Sequence, residues 1–335
     1  MDHLAPELIL QILELSVGAY DLHHYCEPQQ EYPHLRNTAL ICKAWVAPSQ
    51  VLLWRYVVLR DLASAQRWIE SPINGQYTTW RLFIGGDRGG DRKIKDDVVR
   101  LVLGKTVGLR MLNLGPQIQN NQRGCARYSP PHLGPISPSC LALPNLKDLT
   151  ALIASRCTIS EFEAGKLDFA FRLRYFQTMH TEIYASVIEE LLRKSATTLE
   201  DLALEQQWRS SPTLETPSGF IPSALASCTS LKRLKLSDDM DMHECVAPMF
   251  HAVPTSLQDL TIVGTDADID WIAPLLGLPS LQRLERLHLE HEAFENAHKR
   301  RKELVELLRA HNTTLVEIPT GDSMPYPDFS IWRRW

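Results

Sequence analysis

The chain has 335 residues, 44% of them hydrophobic and 22% charged, with a formal net charge of −5 at pH 7. That length and apolar share suffice for a large core or an extended array of smaller ones, and they exclude a disordered chain. The slight acidity gives no general attraction to nucleic acid or to an anionic membrane, so neither is expected as a partner.

In chain order, the first signal is LAPELILQIL at 4–13. Leu4, Leu8, Ile12 and Leu15 recur at helical spacing, Ile9 and Leu13 widen the stripe, and Glu7 and Glu14 fall on the other side. An amphipathic helix is expected, entered through Pro6, whose missing N–H would be unsatisfied in a first turn anyway. A polar insertion at 17–34 separates it from a second helix with Leu35, Ala39, Cys42 and Val46 on one face and Trp45 beside them. Pro48 is expected to end that helix and start a third through Val51, Leu52 and Trp54. Three helices this short bury too little apolar surface to be secure alone, so a partner surface is expected.

These residues resemble the F-box, the helical module that docks F-box proteins onto the Skp-type adaptor of cullin-RING ubiquitin ligases. The matching features are Leu4, Pro6-Glu7-Leu8, Ile12-Leu13, the run Leu40-Ile41-Cys42-Lys43-Ala44-Trp45 and the closing Leu53-Trp54-Arg55. Ala5 stands where the family usually has a proline, and 17–34 is longer than the usual connection. The resemblance implies an adaptor interface drawn from Leu4, Pro6, Leu8, Ile12, Leu40, Trp45, Leu53 and Trp54. Some of these eight must form the core of the module instead, and the sequence does not divide the two sets.

Beyond residue 60 the spacing L-x-x-L-x-L recurs, in which a turn buries the first residue and a short strand the other two. Leu199/Leu202/Leu204, Leu231/Leu234/Leu236, Leu257/Leu260/Ile262 and Leu284/Leu287/Leu289 are the clear units. Leu109/Leu112/Leu114, Leu149/Leu152/Ala154, Leu173/Phe176 and Leu315/Ile318 are weaker ones, and first residues lie mostly 24 to 32 apart. Between units the spacing turns helical, at Ile94/Val98/Leu101, Ile183/Val187/Leu191 and Ile269/Ile272/Leu276. Strand and helix alternating in one sense place parallel strands on one side and helices on the other. The expected fold class is therefore α/β: a helical module at 1–60, a solenoid at 61–320 and an aromatic tail at 321–335. GGDRGGDR at 85–92 reads as the turn between a strand near 80–84 and a helix at 94–103. The Pro- and Gly-rich loop at 115–142 is either a tolerated insertion or a contact loop. Residues 75–320 resemble the irregular leucine-rich repeats that follow an F-box in large fungal families.

In such a solenoid the residues alternating with buried leucines face the concave side. Asp201, Glu205, Arg233, Lys235, Asp259, Arg286 and His288 are the candidate target contacts there. The face is either an ordinary solvated sheet or a patterned surface whose Arg233/Lys235 row meets an acidic or phosphorylated segment. In the tail, Tyr326, Phe329, Trp332 and Trp335 either cap the array or anchor a contact.

Motifs for bond chemistry fail on their own spacing. Leu103-Gly104-Lys105-Thr106 ends like a phosphate-binding loop, but Val99 stands where the loop needs glycine. Asp266, Asp268 and Asp270 begin a calcium-loop spacing, then Trp271 and Gly277 occupy its glycine and glutamate places. His23, His24, Cys26 and His34 lack the second ligand pair of a structural zinc site. No Ser-His-Asp or Cys-His grouping can be assembled from the sequence, so no catalytic residue, metal or cofactor is expected. Seven scattered cysteines without a C-x-x-C pair read as reduced thiols. Asp2, Glu7 and Glu14 stand where a signal peptide would be apolar, and an intracellular protein, cytoplasmic or nuclear, is expected. Lys299-Arg300-Arg301-Lys302 is either an import signal or the basic face of a helix.

The expected function is a non-catalytic adaptor that binds a Skp-type subunit, and through it cullin, at one end and an unknown protein substrate at the other. The alternatives are a repeat scaffold outside any ligase, and an enzyme whose groups converge only in three dimensions.

Overall fold

The computed structural model describes residues 4–20, 31–85, 93–115, 133–160, 168–179, 181–206, 220–238, 249–263, 269–290 and 301–318. Three helices come first: α1 (Pro6–Tyr20), α2 (Glu31–Ala39) and α3 (Lys43–Arg55). Strands and helices then alternate through β1 (Tyr56–Leu59), α4 (Leu62–Glu70), β2 (Arg81–Ile84), α5 (Asp96–Lys105), β3 (Met111–Leu114) and β4 (Ala151–Ser155). The short β5 (Thr158–Ile159) precedes β6 (Tyr175–Met179), and the short β7 (Glu182–Ile183) precedes α6 (Ala185–Ser195) and β8 (Asp201–Gln206). After them come α7 (Phe220–Ala226), β9 (Arg233–Asp238), β10 (Asp259–Val263), α8 (Ile269–Leu276), β11 (Arg286–Glu290), α9 (Arg301–Ala310) and β12 (Thr314–Ile318).

Ten of these strands form one sheet, β1-β2-β3-β4-β6-β8-β9-β10-β11-β12, in sequence order and parallel throughout. The register explains the leucine spacing. Leu82, Leu112, Leu152, Phe176, Leu202, Leu234, Leu260 and Leu287 stand in one cross-strand row, and all are buried. A second row joins Ile84, Leu114, Ala154, Thr178, Leu204, Leu236, Ile262 and Leu289. The turn leucines Leu199, Leu231, Leu257 and Leu284 are buried beside them. Helices α4 to α9 cover these rows, through Trp68, Val102, Leu191, Leu225, Ile272 and Leu308 among others, in one continuous core. The result is a solenoid-like stack in which each unit covers the exposed edge of the last.

Three local expectations change. Pro48 does not end a helix: it lies inside α3, where burial of Pro48, Ser49 and Leu52 holds the helix together across the lost backbone hydrogen bond. The face Leu35/Ala39/Cys42/Val46 is instead divided at Leu40–Cys42, where Cys42 in an extended conformation caps α3. In α5 the buried side is Val99, Val102 and Leu103, while Leu101 is exposed. The helix begins at Asp96, so Ile94 belongs to an extended bridge with Leu133 and does not set the helical phase. Finally β1, inside the stretch assigned to the helical module, is the first strand of the sheet.

The return of the 115–142 loop is packed. Leu133, Ile136, Cys140 and Leu141 are buried. Asp96 at the start of α5 accepts from the Ser137 amide at 2.7 Å and the Cys140 thiol at 3.0 Å, and Asn145 donates to the carbonyls of Leu103 and Thr106 at the other end of that helix. Burial, reinforced by Asp96, pushes the Cys140 thiol up to about 12, which makes it an inert donor. Gly115 follows β3 with φ +114°, and a Cβ there would lie 1.6 Å from the carbonyl oxygen of Ser155. Only glycine fits that place. The calcium-like Asp266 and Asp268, the histidines 23 and 24 with Cys26, the basic residues 299 and 300, and the aromatic tail lie outside the described residues. Among the described residues no helix is long and apolar enough to cross a membrane.

Candidate functional site

Two surfaces differ from the packed stack. The first is on the three amino-terminal helices. Among the described residues their own apolar core is Ile9, Leu13, Leu35 and Leu52, with Leu10, Ala44, Trp45 and Leu53 half-buried around it. The amide of Leu8 and that of Ile9 both donate to the Ala5 carbonyl, starting α1 at Pro6 as its ring geometry favours. Between α2 and α3, Thr38 and Ser49 join hydroxyls at 3.1 Å inside the bundle.

Ile9 and Leu13 take the inward side of α1, Leu10 lies beside them, and a second apolar line on the same helix faces outward. Leu4 is 39% exposed, Leu8 49% and Ile12 44%, and Leu15 continues the line at 76%. In the turn between α2 and α3, Leu40 is 82% exposed and Ile41 56%. Of the eight expected interface residues, Leu4, Leu8, Ile12 and Leu40 are thus the outward apolar ones. Pro6 is exposed at the helix start. Trp45 and Leu53 pack on the small core, and Trp54 turns to the repeats, where its ring lies 6.3 Å from Trp68 and 6.1 Å from Tyr77. Leu15 and Ile41 were not among the eight. Leu15 was legible as the next step of the α1 stripe, and Ile41 as the neighbour of Leu40.

The helices are tied to the stack through Arg55 as well as Trp54. Arg55, at the end of α3, pairs with Glu14 of α1 and stacks 4.0 Å above the Trp80 ring, which also carries Arg110 at 4.8 Å. The Trp80 amide donates to the Arg55 carbonyl at 2.9 Å.

The second surface is the sheet face turned away from the helices. One row across it joins Met111, Ala151, Tyr175, Asp201, Arg233, Asp259, Arg286 and Thr314. Over β2 to β6 this face holds a buried apolar cluster of its own, Phe83, Met111, Ala151, Ile153 and Tyr175, beside the buried polar Asn113 and Gln177. Over β8 to β11 it becomes a ladder of alternating charge. Arg233 grips Asp201 with two nitrogens and Arg286 grips Asp259 likewise, the Nη2–Oδ2 distances both being 2.8 Å. Burial raises the Asp201 carboxyl above the ordinary carboxylate range, with Arg233 pulling the other way. Burial likewise lowers the His288 imidazole, which stands in register between Thr261 and Val316. Lys235 lies between Ala203 and Thr261, and Glu205 between Met179 and Ser237.

The seven expected contact residues therefore share one face, but Arg233 and Arg286 are engaged by carboxylates of the preceding strand. Nothing local in the sequence signals those pairs, since Asp201 and Arg233 are 32 positions apart. Among the described residues no group of three or more His, Cys, Asp or Glu side chains is placed to hold a metal ion. The chain matches no known protein-family model, and no curated protein is significantly similar to it.

Proposed function

We propose that the chain is a substrate-recognition adaptor: its F-box-like helices dock on a Skp-type subunit of a cullin-RING ligase, and its leucine-rich stack holds a protein target. The observation that supports this most is the outward line Leu4, Leu8 and Ile12 on a helix whose inner face is already used by Ile9 and Leu13. Apolar side chains aligned in water are unfavourable to leave bare, and an adaptor helix laid against them would remove that cost. Arg55 and Trp80 then hold the docking helices at a set angle to the stack.

On this reading the chain makes and breaks no bond. It raises the effective concentration of target lysines near a ubiquitin-conjugating enzyme carried elsewhere in the complex. The test is capture of a purified Skp-type adaptor by the full chain and by the double variant Leu8→Asp, Leu40→Asp. Capture by the parent with loss of at least about tenfold in the variant is expected, because two charges would enter an apolar contact. Both changes are at exposed sites, so the variant should melt with the parent. Equal capture by both proteins, or none by the parent, would leave the scaffold reading in its place.

A further inference from the structure

The open face of the sheet is closed to water along half its length. A side chain standing on a sheet has strand neighbours about 4.8 Å away on either side, which cover its flanks and leave its tip to whatever lies above. On β3 to β6 the tips are covered too: Met111 and Gln177 are 3% exposed, Ile153 and Tyr175 4%. Further along the same face Arg233, Lys235 and His288 are only half-buried, and Arg286 is exposed. Among the described residues the apolar cluster on this face is built from strands alone, while helices α4 to α9 pack on the opposite side.

One group on the closed half is unanswered. Asn113 stands in register between Phe83 and Ile153, and among the described residues its buried Oδ1 meets no hydrogen-bond donor. A buried acceptor is costly to leave so, and an apolar cover bringing one N–H would remove that cost. An indole ring combines the two.

Residues 319–335 leave β12 and carry Tyr326, Phe329, Trp332 and Trp335. From β12 to β3 there are seven steps in the strand order, about 34 Å at about 4.8 Å each, which an extended chain covers in about ten residues. The segment is therefore long enough to pass β3. An even course puts Asp322 over β9, the strand of Lys235, and Tyr326 and Phe329 over β6 to β3, with Trp332 following.

We propose that residues 319–335 lie across the open sheet face, with Tyr326, Phe329 and Trp332 on the apolar cluster and the Trp332 indole donating to Asn113. The segment supplies this half of the sheet with its second covering layer. It also takes that half out of reach of a target and leaves the side of β9 to β11 for one. This seat stands whether or not the amino-terminal helices dock on a Skp-type subunit.

The test uses the full chain carrying Phe329→p-benzoylphenylalanine, whose photoexcited ketone bonds to nearby C–H groups and takes those of methionine readily. Mass spectrometry of the digest should join residue 329 to the open face of β2 to β6 within one molecule, at Met111 or Met179 foremost. A link to the helix side, a link between copies in a mixture of light- and heavy-isotope protein, or no link at all would overturn the seat. A second reading is trypsin cleavage after Arg333 and Arg334, which needs the segment released. Cleavage should be at least about tenfold slower in the parent than in the double variant Tyr326→Ser, Phe329→Ser, which keeps both cleavage sites, and equal rates would overturn the seat independently of the cross-link. Trp332→Phe keeps a ring and loses the N–H, so it should speed cleavage about threefold or more; an unchanged rate would overturn the Asn113 contact.

Discussion

The helical module and the repeat stack use similar side chains with opposite completeness. In the stack, Leu112 stands in register between Leu82 and Leu152 within the continuous core, fully buried. Among the described residues of the module, Ile9, Leu13, Leu35 and Leu52 carry the core while Leu8, Ile12 and Leu40 are exposed. A solenoid supplies each unit with its own partner surface, and only its ends lack one. A three-helix unit has no such supply, and one apolar line of α1 stays exposed in the single chain.

Truncating a fully covered residue should produce the largest loss. Leu112→Ala should cost about 3–4 kcal/mol, read as a shift of the urea midpoint, because the surrounding rows close a cavity only partly. Leu8→Asp should stay within about 0.5 kcal/mol of the parent. Equal losses would erase the distinction between the two regions.

The open sheet face holds a second contrast, between its apolar half and its charge ladder. Arg233→Gln leaves the Asp201 carboxylate buried without its partner, and should cost about 2–3 kcal/mol at neutral pH, less than a deep charge pair because Arg233 is partly open. Asp201 is raised in the folded chain, so its favourable contribution is complete below the unfolded carboxyl value and is lost as pH rises through the folded one. Removing Arg233 raises it further. The cost of the variant should therefore shrink as the solution is acidified towards the unfolded carboxyl value, and a penalty constant across that range would contradict the pairing.

The stack was largely legible because its signal is periodic and redundant. Every leucine or isoleucine named for the four clear units is buried, and β8 to β11 fall where their spacing put them. The beginning of the stack was less legible. Tyr56–Leu59 follows α3 without a break, and four apolar residues after a helix fit either period. Pro48 misled because a propensity is a weak prior against packing on two sides. In Phe176 and Thr178 the second inward place is taken by a hydroxyl, and the unit reads as partial. The open face was legible in position but not in pairing. In MLNL and ALIAS the open side mixes Met111, Ala151 and Ile153 with Asn113 and Ser155, so alternation gives no hint that the three apolar residues would cluster. The outward apolar face of α1 could be nominated from sequence, but its separation from the inward one required coordinates, since Leu8 and Ile9 differ only in which side of one helix they occupy.

Amide hydrogen exchange on the full chain, with and without a purified Skp-type adaptor, tests most directly whether the module is completed from outside. In the free chain the amides of α1 from Ile9 to Leu13 should exchange well ahead of those in β3 to β10, and the adaptor should slow them by at least about tenfold while leaving the strands unchanged. Protection of α1 equal to that of the strands in the free chain, or no slowing when the adaptor is added, would contradict it.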